Sequence, residues 1–133
     1  MIASELERIA DYAKGIAKLT IRDAERPWVP MPDGLIQMAE QARAMLTSAL
    51  AAFILQDTSA ARRLGVADDR VDALNKRVEI ELLDLLRHSP ASTERVADLL
   101  FVAHNLERIA DRTTNIAERV VYMVHGDVVA LNL

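Results

Sequence analysis

The sequence predicts an all-α fold, an antiparallel up-and-down bundle of long helices. Three observations carry this. Apolar residues recur at steps of three and four through most of the chain, which keeps them on one helix face. Only four Gly and four Pro interrupt 133 residues, and aromatics make up 4%, so Ala and aliphatic side chains do the packing. No stretch alternates with period two for long enough to compete as a strand.

The first helix is expected over Ser4 to Glu25, with Ile2, Leu6, Ile9, Ala13, Ile16 and Thr20 as its apolar stripe. Arg26-Pro27-Trp28-Val29-Pro30-Met31-Pro32 stops it, because three prolines in six residues favour an extended connector. Trp28 there is read as packing over the bundle end, or as a partner contact. Asp33 is the expected N-cap of a second helix over Gly34 to Gln56, with Leu35, Met38, Ala42, Met45, Ala49 and Ala52 buried. Asp57-Thr58-Ser59 offers the next cap and a short turn through Leu64. Gly65 is expected to break the chain there, with Asp68 or Asp69 capping a third long helix to His88. Its core residues are Val71, Leu74, Val78, Leu82 and Leu85. Ser89 or Ser92 caps the last helix, which carries Leu99, Val102, Leu106, Ile109, Thr113, Ile116 and Val120 and stops at Gly126. Met38, Met45 and Met123 read as core fillers. Val128 to Leu133 is a short apolar tail.

Charge and composition exclude several functions. A net charge of −4 argues against broad nucleic-acid binding, which needs a basic face. With no Cys there is no disulfide, thiolate metal site or Cys nucleophile, which fits a cytoplasmic protein. Met1-Ile2-Ala3-Ser4-Glu5 lacks the pattern of a signal peptide. The longest apolar run, Ala49 to Leu55, is too short to insert in a membrane.

The chemistry lies in an internal repeat. Leu6-Glu7-Arg8-Ile9-Ala10-Asp11 recurs without change as Leu106-Glu107-Arg108-Ile109-Ala110-Asp111. Glu and Asp four residues apart on a helix share a face and repel; a cation between them turns repulsion into attraction. Hard ions such as Mg²⁺, Mn²⁺, Ca²⁺ or oxidised iron take oxygen ligands of this kind. Glu7, Asp11, Glu107 and Asp111 are therefore candidate metal ligands. On the last helix the acidic face extends through His104, Thr114 and Glu118, so His104 and Glu118 are possible additions. The plain alternative is a solvated acidic face, with His104 a boundary histidine. No Glu or Asp has a His three residues after it, as di-iron bundles require, and no Gly-rich phosphate loop or nucleophile with its base is present.

Asn105-Leu106-Glu107-Arg108-Ile109-Ala110-Asp111-Arg112-Thr113-Thr114-Asn115-Ile116-Ala117-Glu118 resembles the signature of the PhoU family. Val120 to Gly126 and Asp68-Asp69-Arg70-Val71-Asp72-Ala73-Leu74 are similar to the family as well. Arg112 and Thr113 depart from a His-Ala often seen there. The resemblance implies spectrin-like three-helix repeats, each ending in a (Glu/Asp)-x-x-x-Asp helix. Residues 1–26 then correspond to the last helix of a truncated first repeat, 27–32 to a Pro-rich connector, 33–126 to the second repeat and 127–133 to a tail. It implies a metal cofactor (Fe, Mn, Mg, Ca or Zn) on Glu7, Asp11, Glu107 and Asp111, with Asp72 and Asn115 at family-like positions beside them. It also implies a non-enzymatic, cytoplasmic regulator of phosphate uptake and starvation signalling. Its expected partners are a phosphate ABC transporter ATPase and a sensor histidine kinase, and it is expected to act as a homodimer. A lone first helix must fold back on the second repeat or pair with another subunit. Two other functions compete: a chorismate-mutase-like enzyme using Arg8, Arg77, Arg108 and Arg112, and a structural oligomerising module.

Overall fold

Ile2–Arg22 forms α1, Asp33–Leu55 α2, Thr58–His88 α3 and Thr93–His125 α4, with a 3-10 turn at Pro90–Ser92. The computed structural model describes residues 2–26, 29–126 and 128–132, so Pro27 and Trp28 of the connector lie outside the described residues. No strand occurs among the described residues.

Helices α2, α3 and α4 pack on one another as a three-helix bundle, while α1 lies against α4 alone. The sense of each helix follows from its contacts. Asn75 of α3 meets Glu107 of α4, and Thr58 meets His125, so these two helices are antiparallel. Asn105 donates to the Tyr12 carbonyl at 3.2 Å and Arg22 pairs with Asp98, so α1 is also antiparallel to α4. The stripe of α2 is buried from Leu35 to Ala52, and Val71, Val78, Leu82, Ile116 and Val120 complete the core. Met38 and Met45 are buried as expected, but Met123 is 53% exposed on the last turn of α4. No helix is long and apolar enough to cross a membrane among the described residues.

The first helix folds back, but it does not close a four-helix bundle. Ile9 is buried, Ile2, Leu6 and Ile16 are half-buried, and Ala13 and Thr20 are exposed. Between α1 and α2 runs a groove of about 580 Å³, lined in part by Ile16, Leu19, Leu35, Leu99, Val102 and Leu106. Charges fasten the far end of α1. Arg22 reaches Asp98 at 2.6 Å, Arg26 reaches Asp23 at 3.0 Å and Glu94 at 2.9 Å, and Arg95 reaches Asp23 at 3.5 Å.

Three local expectations are corrected. Asp33 is the first residue of α2 and Pro32 its cap, with no side-chain cap bond. Asp57 does cap α3, accepting from the Ala60 N–H at 3.0 Å. Gly65 does not break the helix: α3 runs unbroken for 31 residues and carries both Asp68 and Asp69 within it. A helical Gly costs only about 1 kcal/mol against Ala, which the packed face of a long helix outweighs. Gly65 has a packing reason instead. A Cβ there would stand 3.1 Å from the Leu131 carbonyl oxygen. Past Gly126, which turns the chain with φ 73°, Leu131 thus comes back onto α3. Leu131 donates its N–H to Glu118 at 2.9 Å.

Candidate functional site

The unbroken α3 places Asp68 and Asp72 one turn apart on a helix face. Antiparallel α4 brings Asp111 to the same place. One carboxylate oxygen from each of Asp68, Asp72 and Asp111 lies within 4.8 Å of the others. Asp68 is 1% exposed, and its Oδ1 has no hydrogen-bond partner. Burial first, then the charges of Asp111 and Asp72, push its carboxyl up to about 8. Burial and Asp111 likewise raise Asp72, against a smaller lowering by Lys76. Three acids converging with no salt bridge to any of them among the described residues is costly, since buried charges are ordinarily paired.

The donor set fits a hard cation. Oxygens bound to one ion at about 2.1–2.4 Å stand at most about 4.8 Å apart, and these three oxygens meet that bound. A cation would also satisfy the orphaned Oδ1 of Asp68, a buried acceptor of the kind that calls for explanation. Carboxylates alone favour Mg²⁺, Mn²⁺, Ca²⁺ or Fe³⁺ over thiolate- or imidazole-seeking ions.

Around this cluster the other candidates fall into separate places. Glu107 faces the same α3–α4 seam but is not among the converging oxygens; it accepts from Asn75 Nδ2 at 2.6 Å. Burial, then Asp111 and Asp72, raise its carboxyl above the ordinary value. His104 is exposed and accepts from Arg108 Nε at 3.3 Å. Asn115 turns toward α1, donating to Glu5 at 3.4 Å. Glu118, two turns beyond Asp111, is held by Leu131. Glu7 and Asp11 are exposed on α1, which does not touch α3. The two copies of the repeat therefore do not pool their acids within this chain.

Sequence reasoning missed Asp68 as a site residue. The signal was available: Asp68-x-x-x-Asp72 has the spacing of Glu107-x-x-x-Asp111. Reading Gly65 as a break turned Asp68 into a cap. The four arginines considered for an enzyme do not converge either. Arg8 and Arg77 are exposed on helices that do not touch, Arg108 is engaged by His104, and Arg112 approaches Glu5 at 3.5 Å.

Residues 35–120, the three-helix bundle with the aspartate cluster, match the PhoU domain. The chain belongs to the PhoU family. It is 33% identical over 98% of its length to a phosphate-specific transport system accessory protein PhoU homolog of Clostridium acetobutylicum. It is 37% identical over 96% of its length to such a homolog of Aquifex aeolicus. The crystal structure of the phosphate transport system regulatory protein PhoU from Streptococcus pneumoniae superposes with a TM-score of 0.88 over 97% of this chain, at 31% identity. PhoU from Pseudomonas aeruginosa gives 0.86 over 95%, at 32% identity. The chain spans 60% and 58% of the two homologs and 61% of each PhoU structure. Both the PhoU match and the structural likeness cover the α3–α4 seam, so the acid cluster lies on the family's fold and not on an appendage.

Proposed function

We propose that this chain is a metal-binding, non-catalytic regulator of a phosphate transport system. Its ion site is Asp68, Asp72 and Asp111, with Glu107 beside them. The observation that carries the reading is the convergence of three acids, one of them buried with a carboxylate oxygen that lacks a hydrogen-bond partner, on the seam of the matching bundle. A bound cation offsets the negative charge of that seam and ties α3 to α4, giving partners a fixed pair of helices to dock on. The partners are a phosphate ABC transporter ATPase and a sensor histidine kinase at the cytoplasmic face of the membrane. That part of the proposal, with the homodimer, rests on the family resemblance and on the relatives' designation as transport accessory proteins. Glu7 and Asp11 repeat the α4 half of the arrangement without an acid-bearing helix packed on them.

The test pairs a binding measurement with a cellular one. Isothermal titration of the metal-stripped chain with Mn²⁺ should give saturable binding, lost in Asp68→Ala/Asp72→Ala/Asp111→Ala. In the host that encodes the chain, deletion should leave a phosphate-starvation reporter on at high phosphate. The wild type should restore repression and the triple variant should not. A triple variant that binds Mn²⁺ like the wild type removes the site; one that represses like the wild type removes its regulatory role.

A further inference from the structure

One polar contact on the α3–α4 seam is not explained by the metal site. Asn75 Nδ2 donates to Glu107 Oε2 at 2.6 Å and approaches Glu79 Oε1 at 3.4 Å. Both partners are carboxylates, so only the NH₂ end of the amide can face them, and the amide orientation is fixed by chemistry. The short bond is charge-assisted and half-buried, the stronger class of hydrogen bond. It holds Glu107 one turn from Asp111, on the same face, yet outside the set of oxygens that converge within 4.8 Å. Glu107 thus has two competing positions: on the Asn75 amide, or on a cation among the three aspartates. A donor that stabilises the first disfavours the second.

We infer that Asn75 is a positioning residue that competes with the ion for Glu107 and so sets how tightly the aspartate cluster holds a cation. The inference rests on the metal-site reading above. In it, the cluster alone offers three carboxylates, and Glu107 joins as a fourth when its bond to Asn75 is given up. Asn75 is therefore a brake on affinity, keeping the site responsive to the supply of ion.

The experiment is a double-mutant cycle on the full chain, read by titration with Mn²⁺ and, for spectroscopy, diamagnetic Mg²⁺. Asn75→Ala removes the competing donor and should tighten Mn²⁺ binding about tenfold, as expected for a hydrogen bond to a charged group. Glu107→Gln should weaken it. In the Glu107→Gln background Asn75→Ala should have no further effect, which a purely structural role of Asn75 does not predict. Asn75→Ser, which retains a shorter donor, should fall between wild type and Asn75→Ala. In the wild type, the Asn75 side-chain amide signals should shift on Mg²⁺ addition as Glu107 leaves; in Glu107→Gln they should not. Equal Mn²⁺ affinity of wild type and Asn75→Ala, or an Asn75→Ala effect that persists without Glu107, overturns this inference and leaves the metal site standing. A wild type that binds neither Mn²⁺ nor Mg²⁺ overturns both.

Discussion

Replacing Asp68 by Asn tests whether the acid cluster is kept at a cost in stability. Asp68 is 1% exposed and its carboxyl is pushed up to about 8 from an ordinary 3.8, by burial and then by Asp111 and Asp72. An acid whose pKa rises on folding keeps a proton in the folded state that the unfolded chain has released. Its contribution is neutral below about pH 4 and grows steadily unfavourable as the pH rises to about 8. The slope is about 1.4 kcal/mol per pH unit, which brings the penalty near pH 7 to about 4 kcal/mol. Asn has the same shape, does not ionise, and can donate to a neighbouring carboxylate. Asp68→Asn should therefore stabilise the metal-stripped chain by about 2–4 kcal/mol at pH 7, with no advantage below pH 4. It should also abolish the stabilisation that Mn²⁺ gives the wild type. Urea unfolding followed by circular dichroism between pH 4 and pH 8 measures both effects. A variant less stable than the wild type at pH 7, or a difference that does not change with pH, refutes the reasoning.

Three further outcomes follow from the same contacts. Because the ion takes Asp68 only after its proton leaves, Mn²⁺ affinity should rise by up to about tenfold per unit from pH 6 to pH 8; a flat profile by calorimetry would exclude Asp68 as a ligand. Leu82→Ala, at a fully buried position in α3, should cost about 3 kcal/mol by chemical denaturation while Mn²⁺ binding survives. Gly65→Val adds carbon where a Cβ alone would already lie 3.1 Å from the Leu131 carbonyl. It should displace residues 128–132 and speed hydrogen exchange at the Leu131 N–H, whose protection by Glu118 would otherwise persist.

Much of the fold could be read from the chain because helix periodicity is a local property. The stripe from Leu35 to Ala52 and that from Leu106 to Val120 lie where the three-four spacing puts them. What failed were single punctuating residues. Gly65 looks like a stop in sequence, yet it lies in a helix buried on both sides of it, from Ala61 to Leu82, and its missing side chain is used by Leu131. That misreading concealed Asp68. Asp111 is legible in the sequence because one helix turn relates it to Glu107, and Asp72 because the family resemblance puts it beside that motif, whereas their convergence depends on the α3–α4 register. The exposure of Glu7 and Asp11 was likewise not a local matter, because a repeated string does not say which helix its face will meet. Asn75 carries no motif at all; its short bond to Glu107 appears once α4 is packed beside it.

An ion site gives a reason for such a costly cluster in an otherwise ordinary aliphatic bundle. Three acids on a buried seam destabilise the bare protein, and function commonly resides where local stability is given up. A crystal grown with Mn²⁺ and measured at the manganese absorption edge tests this most directly. The expected result is an anomalous peak bonded to Asp68, Asp72 and Asp111 on the α3–α4 seam. A map with no peak there, or with manganese only on the exposed Glu7 and Asp11 pair, would contradict it.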